Sequence, residues 1–131
     1  MGTDEMAHGE TAWIECASCD VEATKAHYAR LCGWAYDGME MPQGGGTYWV
    51  ARLGDKMVAG IMSRDVIPYE VPPHWLVYIE VDDMAKAIED TRETGGKVLR
   101  EPFDIPGVGT IAIIAEPSGA GIGLLKPQSD A

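Results

Sequence analysis

Trp13-Ile14-Glu15-Cys16-Ala17-Ser18-Cys19-Asp20 is the stretch on which the fold turns, because it returns later as Leu76-Val77-Tyr78-Ile79-Glu80-Val81-Asp82-Asp83. In each, a run of strand-like alternation ends on an aspartate that suits the N-cap of a helix. Sliding the chain by 63 residues takes Asp20 onto Asp83, and the same slide takes Gly33 to Gly96, Gly44 to Gly107, Gly46 to Gly109, Thr47 to Thr110 and Gly60 to Gly123. Ile61 and Met62 fall on Leu124 and Leu125. With 16 glycines in the chain one coincidence means little, but agreement at one offset without insertion marks an internal duplication.

Working outward, each copy repeats one order of elements. Trp13 to Ser18 reads as a strand, Val21 to Cys32 as a helix stopped by Gly33, and Ala35 to Tyr36 as a short strand. Gly44-Gly45-Gly46 reads as a turn, Thr47 to Leu53 and Met57 to Ser63 as strands, and Gly54-Asp55 as their hairpin. The second copy has strands at Trp75 to Val81, Val98 to Leu99, Thr110 to Ala115 and Ile122 to Lys126, the last two joined by the turn Glu116-Pro117-Ser118-Gly119. Its helix carries Met84, Ala87, Ile88, Thr91 and Gly95 along one stripe. The fold class expected is α+β: two βαβββ modules forming a curved mixed sheet around one cleft. Module one spans 12–66 and module two 74–129, with the proline-rich linker 67–73 between them and a disordered tail at 1–11.

Composition narrows the function classes. The chain has 131 residues, enough for one hydrophobic core, with a formal charge of −11. Nucleic acids and anionic membranes are poor partners for such a chain, which lacks the clustered Lys and Arg that phosphates require. No apolar run approaches a membrane span, and Met1 to Glu10 has no leader pattern. Three cysteines suit a reducing cytoplasm, so the expectation is a cytoplasmic protein.

Alternation across the lead strands places Ile14 and Cys16 toward the helix and Trp13, Glu15 and Ala17 on the opposite face. In the second copy Val77, Ile79 and Val81 face the helix, while Leu76, Tyr78 and Glu80 share the other side. The mixed faces, with bulky apolar groups and one carboxylate each, are the make-up of a small-molecule site.

The segments Asp20-Val21-Glu22-Ala23, His27-Tyr28, Leu31-Cys32-Gly33-Trp34, Pro72-Pro73-His74-Trp75-Leu76-Val77-Tyr78, Val81-Asp82-Asp83, Gly95-Gly96, Glu116-Pro117-Ser118-Gly119-Ala120 and Lys126-Pro127 resemble the vicinal oxygen chelate superfamily. That group contains glyoxalase I, extradiol dioxygenases and bleomycin- and fosfomycin-resistance proteins. The chain departs in Glu116-Pro117 and Gly109-Thr110, where the family often has Asp-Pro and Gly-Arg. The resemblance implies paired modules forming a cleft, often a dimer. It also implies that metal-holding members draw His, Gln or Glu ligands from positions that fall here on Trp13, Leu76, Gly60 and Gly123. None of these can ligate through its side chain, so no metal and no cofactor is expected at the family site.

The candidate catalytic residues are Glu15 and Glu80, since a carboxylate on a partly apolar surface either works as a base or meets a cation. Arg52, Arg64 and Arg100 are the expected charge partners. Trp13, Tyr78, His74 and Met62 are the candidate ligand-binding residues. Cys16 and Cys19 form a single Cys-x-x-Cys and read as a core and a turn cysteine; His8 and His27 read as incidental. The glycine triplet lacks the Lys-Ser or Lys-Thr of a phosphate loop. Three classes follow: a metal-independent protein binding a planar or cationic small molecule, a lyase or isomerase using Glu15 or Glu80 as base, or an interaction module whose cleft is filled by its own aromatics. A homodimer is expected, because open sheet edges are usually paired or covered.

Overall fold

The structure is a computed structural model in which residues 7–41, 46–105 and 108–128 are described. The order is β1 (Thr11–Ser18), α1 (Val21–Cys32), β2 (Ala35–Glu40), β3 (Thr47–Leu53), β4 (Lys56–Ser63), β5 (His74–Glu80), α2 (Met84–Glu93), β6 (Lys97–Ile105), β7 (Gly109–Ala115) and β8 (Gly121–Pro127). A short 3-10 turn, Arg64–Val66, follows β4. The fold is therefore α+β and runs βαβββ twice. Trp13–Leu76 makes one compact unit; the chain from Val77 onward makes the other, together with the segment before Trp13.

In the first unit β1 pairs in parallel with β4, and β3 lies antiparallel between β4 and β2. Asp20 caps α1, accepting from the Ala23 backbone N–H at 3.1 Å, while the Ser18 hydroxyl reaches both Asp20 N at 2.8 Å and Thr24 Oγ1 at 2.7 Å. Gly33 stops the helix in the left-handed conformation, φ 78°, which glycine adopts without steric cost. No α1 residue is buried. Its inward stripe is Val21, Thr24, Lys25 and Tyr28 at helical spacing, each half-buried. The Lys25 ammonium sits 3.2 Å from the centre of the Trp49 ring on β3, so a cation–π contact stands where apolar packing is usual.

The second unit repeats the pattern with a conventional core. β5 pairs in parallel with β8, which runs antiparallel to β7, and β7 to β6. Asp83 caps α2 through the Lys86 N–H at 3.0 Å. Met84, Ile88 and Thr91 are buried on one stripe, and Met84 and Ile88 pack with Val81, Ala112, Ile114 and Leu124. Burying each large aliphatic side chain contributes roughly 1.5–3 kcal/mol.

Ladder bonding extends two strands past their sequence signals. β2 runs to Glu40 and β6 to Ile105, beyond the two-residue strands expected, because β3 and β7 supply antiparallel partners along their lengths. Pro102 is tolerated inside β6 where the register shifts between Arg100 and Phe103. Of the N-terminal segment 1–11, residues 7–11 are described, and there Gly9 N donates to Glu80 O at 2.8 Å and Glu80 N to Glu10 O at 2.9 Å. Gly44, Gly45 and Gly107 lie outside the described residues.

Candidate functional site

Strand phase decides what meets what. Trp49 faces α1 through Lys25, so Tyr48, its neighbour on β3, points to the opposite side of the sheet. Cys16 and Ser18 lie on the helix side, Ser18 bonding to Thr24 of α1. Trp13 and Glu15 therefore share the far side with Tyr48. The Trp13 indole N–H donates to Tyr48 Oη at 2.9 Å, and the Tyr48 hydroxyl donates to Glu15 Oε1 at 2.8 Å. Met62 joins this face through the β1–β4 register, which sets Glu15 beside Gly60 and Ala17 beside Met62.

Glu15 is 8% exposed, and Met62 is buried. Desolvating a carboxylate is costly unless a donor compensates it, and the tyrosine hydroxyl is such a donor. Of the expected charge partners, Arg52 pairs with Asp37, Arg64 donates to the Val71 carbonyl at 3.3 Å, and the Arg100 guanidinium lies 4.0 Å from the Phe103 ring centre. Glu15 accepts from a neutral phenol, the Tyr48 hydroxyl. Burial pushes the neighbouring Cys16 thiol above its ordinary value, with the Glu15 carboxylate adding to the effect.

Glycine at position 60 makes room for this arrangement. A Cβ there would fall 1.8 Å from Tyr48 Oη and 2.3 Å from Cζ. In the second unit Gly123 plays the same part, since its Cβ would lie 2.3 Å from Tyr78 Cδ2. Tyr78 is 4% exposed and stands directly across from Gly123 on the β5–β8 ladder. A tyrosine ring thus covers the glycine of the last strand in both modules, from β3 in one and from β5 in the other.

The remaining sequence candidates have separate surroundings. His74 Nδ1 lies 2.8 Å from the Pro72 carbonyl and holds the start of β5. Glu80 is half-buried in the second unit, its backbone engaged by Gly9 and Glu10. Ile79 and Val81, one residue out of phase with it, pack toward α2. Two hollows of about 350 Å³ each lie on the helix sides, one bordered by Cys16, Cys19 and His27, the other by Asp82, Lys86 and Thr91. Neither is lined by Trp13, Glu15, Tyr78 or Glu80. Among the described residues no group of three or more His, Cys, Asp or Glu is arranged to hold a metal.

A family model described as Glyoxalase/Bleomycin resistance protein/Dioxygenase superfamily matches residues 11–124. The chain belongs to this superfamily. Among curated relatives, "Putative glyoxylase CFP32" of Mycobacterium tuberculosis is 36% identical over 121 residues, covering 92% of this chain and 46% of the relative. The anthracycline biosynthesis protein DnrV of Streptomyces peucetius is 31% identical over 127 residues, with 88% and 46% covered. The chain thus spans about half the length of the curated relatives it matches. Among solved structures, a hypothetical protein of Bacillus halodurans superposes with TM-score 0.66 at 16% identity, covering 94% of this chain and 97% of that one. Methylmalonyl-CoA epimerase from Mycobacterium tuberculosis superposes with TM-score 0.64 at 14% identity, covering 92% and 89%. At these identities the structural likeness is one of fold.

Sequence reasoning missed Tyr48. The signal that could have found it is parity: Tyr48 and Val50 alternate with Trp49, and Val50 is in register with Gly60. A glycine directly across from a buried carboxylate on the adjacent strand leaves room for a large ring from the strand beyond it.

Proposed function

We propose that the chain is a superfamily member that binds a planar, cationic small molecule on the Trp13–Tyr48–Glu15 face and works without the family's metal. The observation that carries the reading is the buried Glu15 carboxylate, held by Tyr48 in a hydrogen-bonded chain that begins at Trp13. A carboxylate kept at a desolvation cost beside two aromatic rings supplies charge and stacking surface for such a ligand. The four positions from which family ligands would come carry Trp13, Gly60, Leu76 and Gly123, and tyrosine atoms occupy the space a side chain would need at both glycines. These residues do not fit a divalent ion, so no step is assigned to one. Met62 and His74, which belong to the same unit as this face, are assigned to ligand contact with it, and Tyr78 and Glu80 are proposed as ligand contacts of the second unit taken by itself. The protein acts in the cytoplasm as a homodimer, the free edges of β2 and β6 needing cover.

Titration of an anthracycline, chosen because DnrV is named for anthracycline biosynthesis, tests the reading. Trp13→Ala should cost about 2–4 kcal/mol in binding if the indole is an anchor, and Glu15→Gln should weaken binding by removing the charge. Wild-type affinity in both variants would remove the face from consideration. Burial of Glu15 also favours a second reading, with Glu15 as the general base of a lyase or isomerase. In that case Glu15→Gln cuts turnover and leaves ground-state binding nearly intact.

A further inference from the structure

Aromatic rings gather on the helix side of the first unit. Tyr28 of α1 stacks on Trp34 with ring centres 5.1 Å apart, and meets Trp75 edge-on at 5.5 Å. Trp34 and Trp75 lie 6.3 Å apart, and the Trp75 indole N–H donates to the Tyr28 hydroxyl at 3.2 Å. Leu31, at the i+3 position from Tyr28, is 65% exposed, and Trp75 is 37% exposed. Arg30 is exposed beside Leu31. Rings already held by one another lose little freedom on being covered, and Trp, Tyr and Arg are the residues that anchor protein interfaces.

Charge singles out the same place. Ala23 to Tyr36 and Val71 to Leu76 contain no aspartate or glutamate, in a chain with 21 of them and a net charge of −11. Two such chains repel each other in most orientations, but these segments can meet without opposing carboxylates. We infer that Tyr28, Leu31, Trp34 and Trp75, with Arg30 beside them, form the surface on which a second copy of the chain docks about a two-fold axis. The inference rests on the homodimer proposed above and gives that dimer its contact surface. Trp34 leads directly into β2, so the surface adjoins one of the free strand edges. A second copy also agrees with the curated relatives, where the matched stretch makes up 46% and a stretch of similar length lies outside it.

Analytical ultracentrifugation of the full chain over a micromolar concentration series is the test. Wild-type protein should dimerise, and added salt should tighten the dimer by screening the repulsion between two acidic chains. Leu31→Glu sets carboxylates of the two copies against each other, and Trp75→Ala removes an anchor. Each should weaken dimerisation by about thirtyfold or more. Met57→Glu, at a position of β4 that is 63% exposed, should leave it unchanged. Thermal melts by circular dichroism confirm that each variant is folded at the temperature of the run. Wild-type protein that stays monomeric overturns this inference and the homodimer together. A dimer that Leu31→Glu and Trp75→Ala leave unweakened keeps the homodimer and overturns this surface, as does an equal loss in Met57→Glu. A dimer that added salt pulls apart is held by opposite charges, which overturns the apolar contact.

Discussion

Replacing Gly60 by alanine adds one methyl group where the Tyr48 ring already stands. The new Cβ would stand 1.8 Å from Tyr48 Oη, 2.3 Å from Cζ and 2.7 Å from Cε1, so the ring must leave. Its departure breaks the 2.8 Å bond to Glu15 and the 2.9 Å bond from Trp13. A hydrogen bond to a charged group contributes about 1.5–3 kcal/mol and one between neutral groups about 1 kcal/mol. Alanine returns about 0.4–1 kcal/mol by restricting the unfolded chain, leaving a net loss near 2–3 kcal/mol. For a chain of this size each kcal/mol moves the melting temperature by a few degrees, so a drop of roughly 6–12 °C is expected. Urea denaturation followed by circular dichroism measures the same quantity through the midpoint. The decisive control is Gly60→Ala in a Tyr48→Ala background, where the methyl group has space and should cost nothing or stabilise slightly. An unchanged cost in that background would refute the mechanism, because the strain would then come from something other than Tyr48.

Further consequences can be measured independently. Lys25→Ala should lower stability by about 1–2 kcal/mol through loss of its contact with Trp49, and Lys25→Arg should retain most of it, as read from urea midpoints. Glu116 is held below its ordinary value of 4.5 chiefly by the Ser118 hydroxyl, with backbone N–H groups of the turn assisting. A depressed carboxyl stabilises the folded state above its unfolded pKa and loses that contribution as pH falls through the folded one. Ser118→Ala should therefore move the Glu116 titration upward in an NMR pH series and weaken the acid limb below about pH 4.5; an unmoved titration would refute the assignment. Dialysed protein should retain well under one equivalent of zinc, nickel, manganese or iron, and chelator should leave the melting temperature unchanged, since a tight metal would add stability by mass action.

Local signals carried most of the secondary structure. Asp20, Gly33 and Asp83 mark helix ends by short-range chemistry, and both helices begin at the residue after the aspartate. Alternation along β1 and β5 divided helix-facing from far-side residues without knowledge of pairing, because a strand's period of two is a property of its own backbone. The 63-residue repeat carried the order of elements, since duplicated sequence folds into duplicated units. Strand lengths were not local: β2 and β6 extend as far as their antiparallel partners allow.

The candidate site divided along the same line. Sequence by itself determined that Trp13 and Glu15 share a face and that positions 13, 60, 76 and 123 carry no metal-ligating side chains. Only tertiary structure decided that the Tyr48 hydroxyl donates to Glu15. The two residues are 33 apart in the chain and become neighbours through the β1–β4 and β3–β4 registers. The space that admits the tyrosine ring belongs to Gly60, whose missing side chain is visible in the sequence but whose vacancy acquires an occupant only when three strands align. Periodicity describes one strand at a time; a hydrogen bond across a sheet depends on register, which is set by the packing of the whole unit.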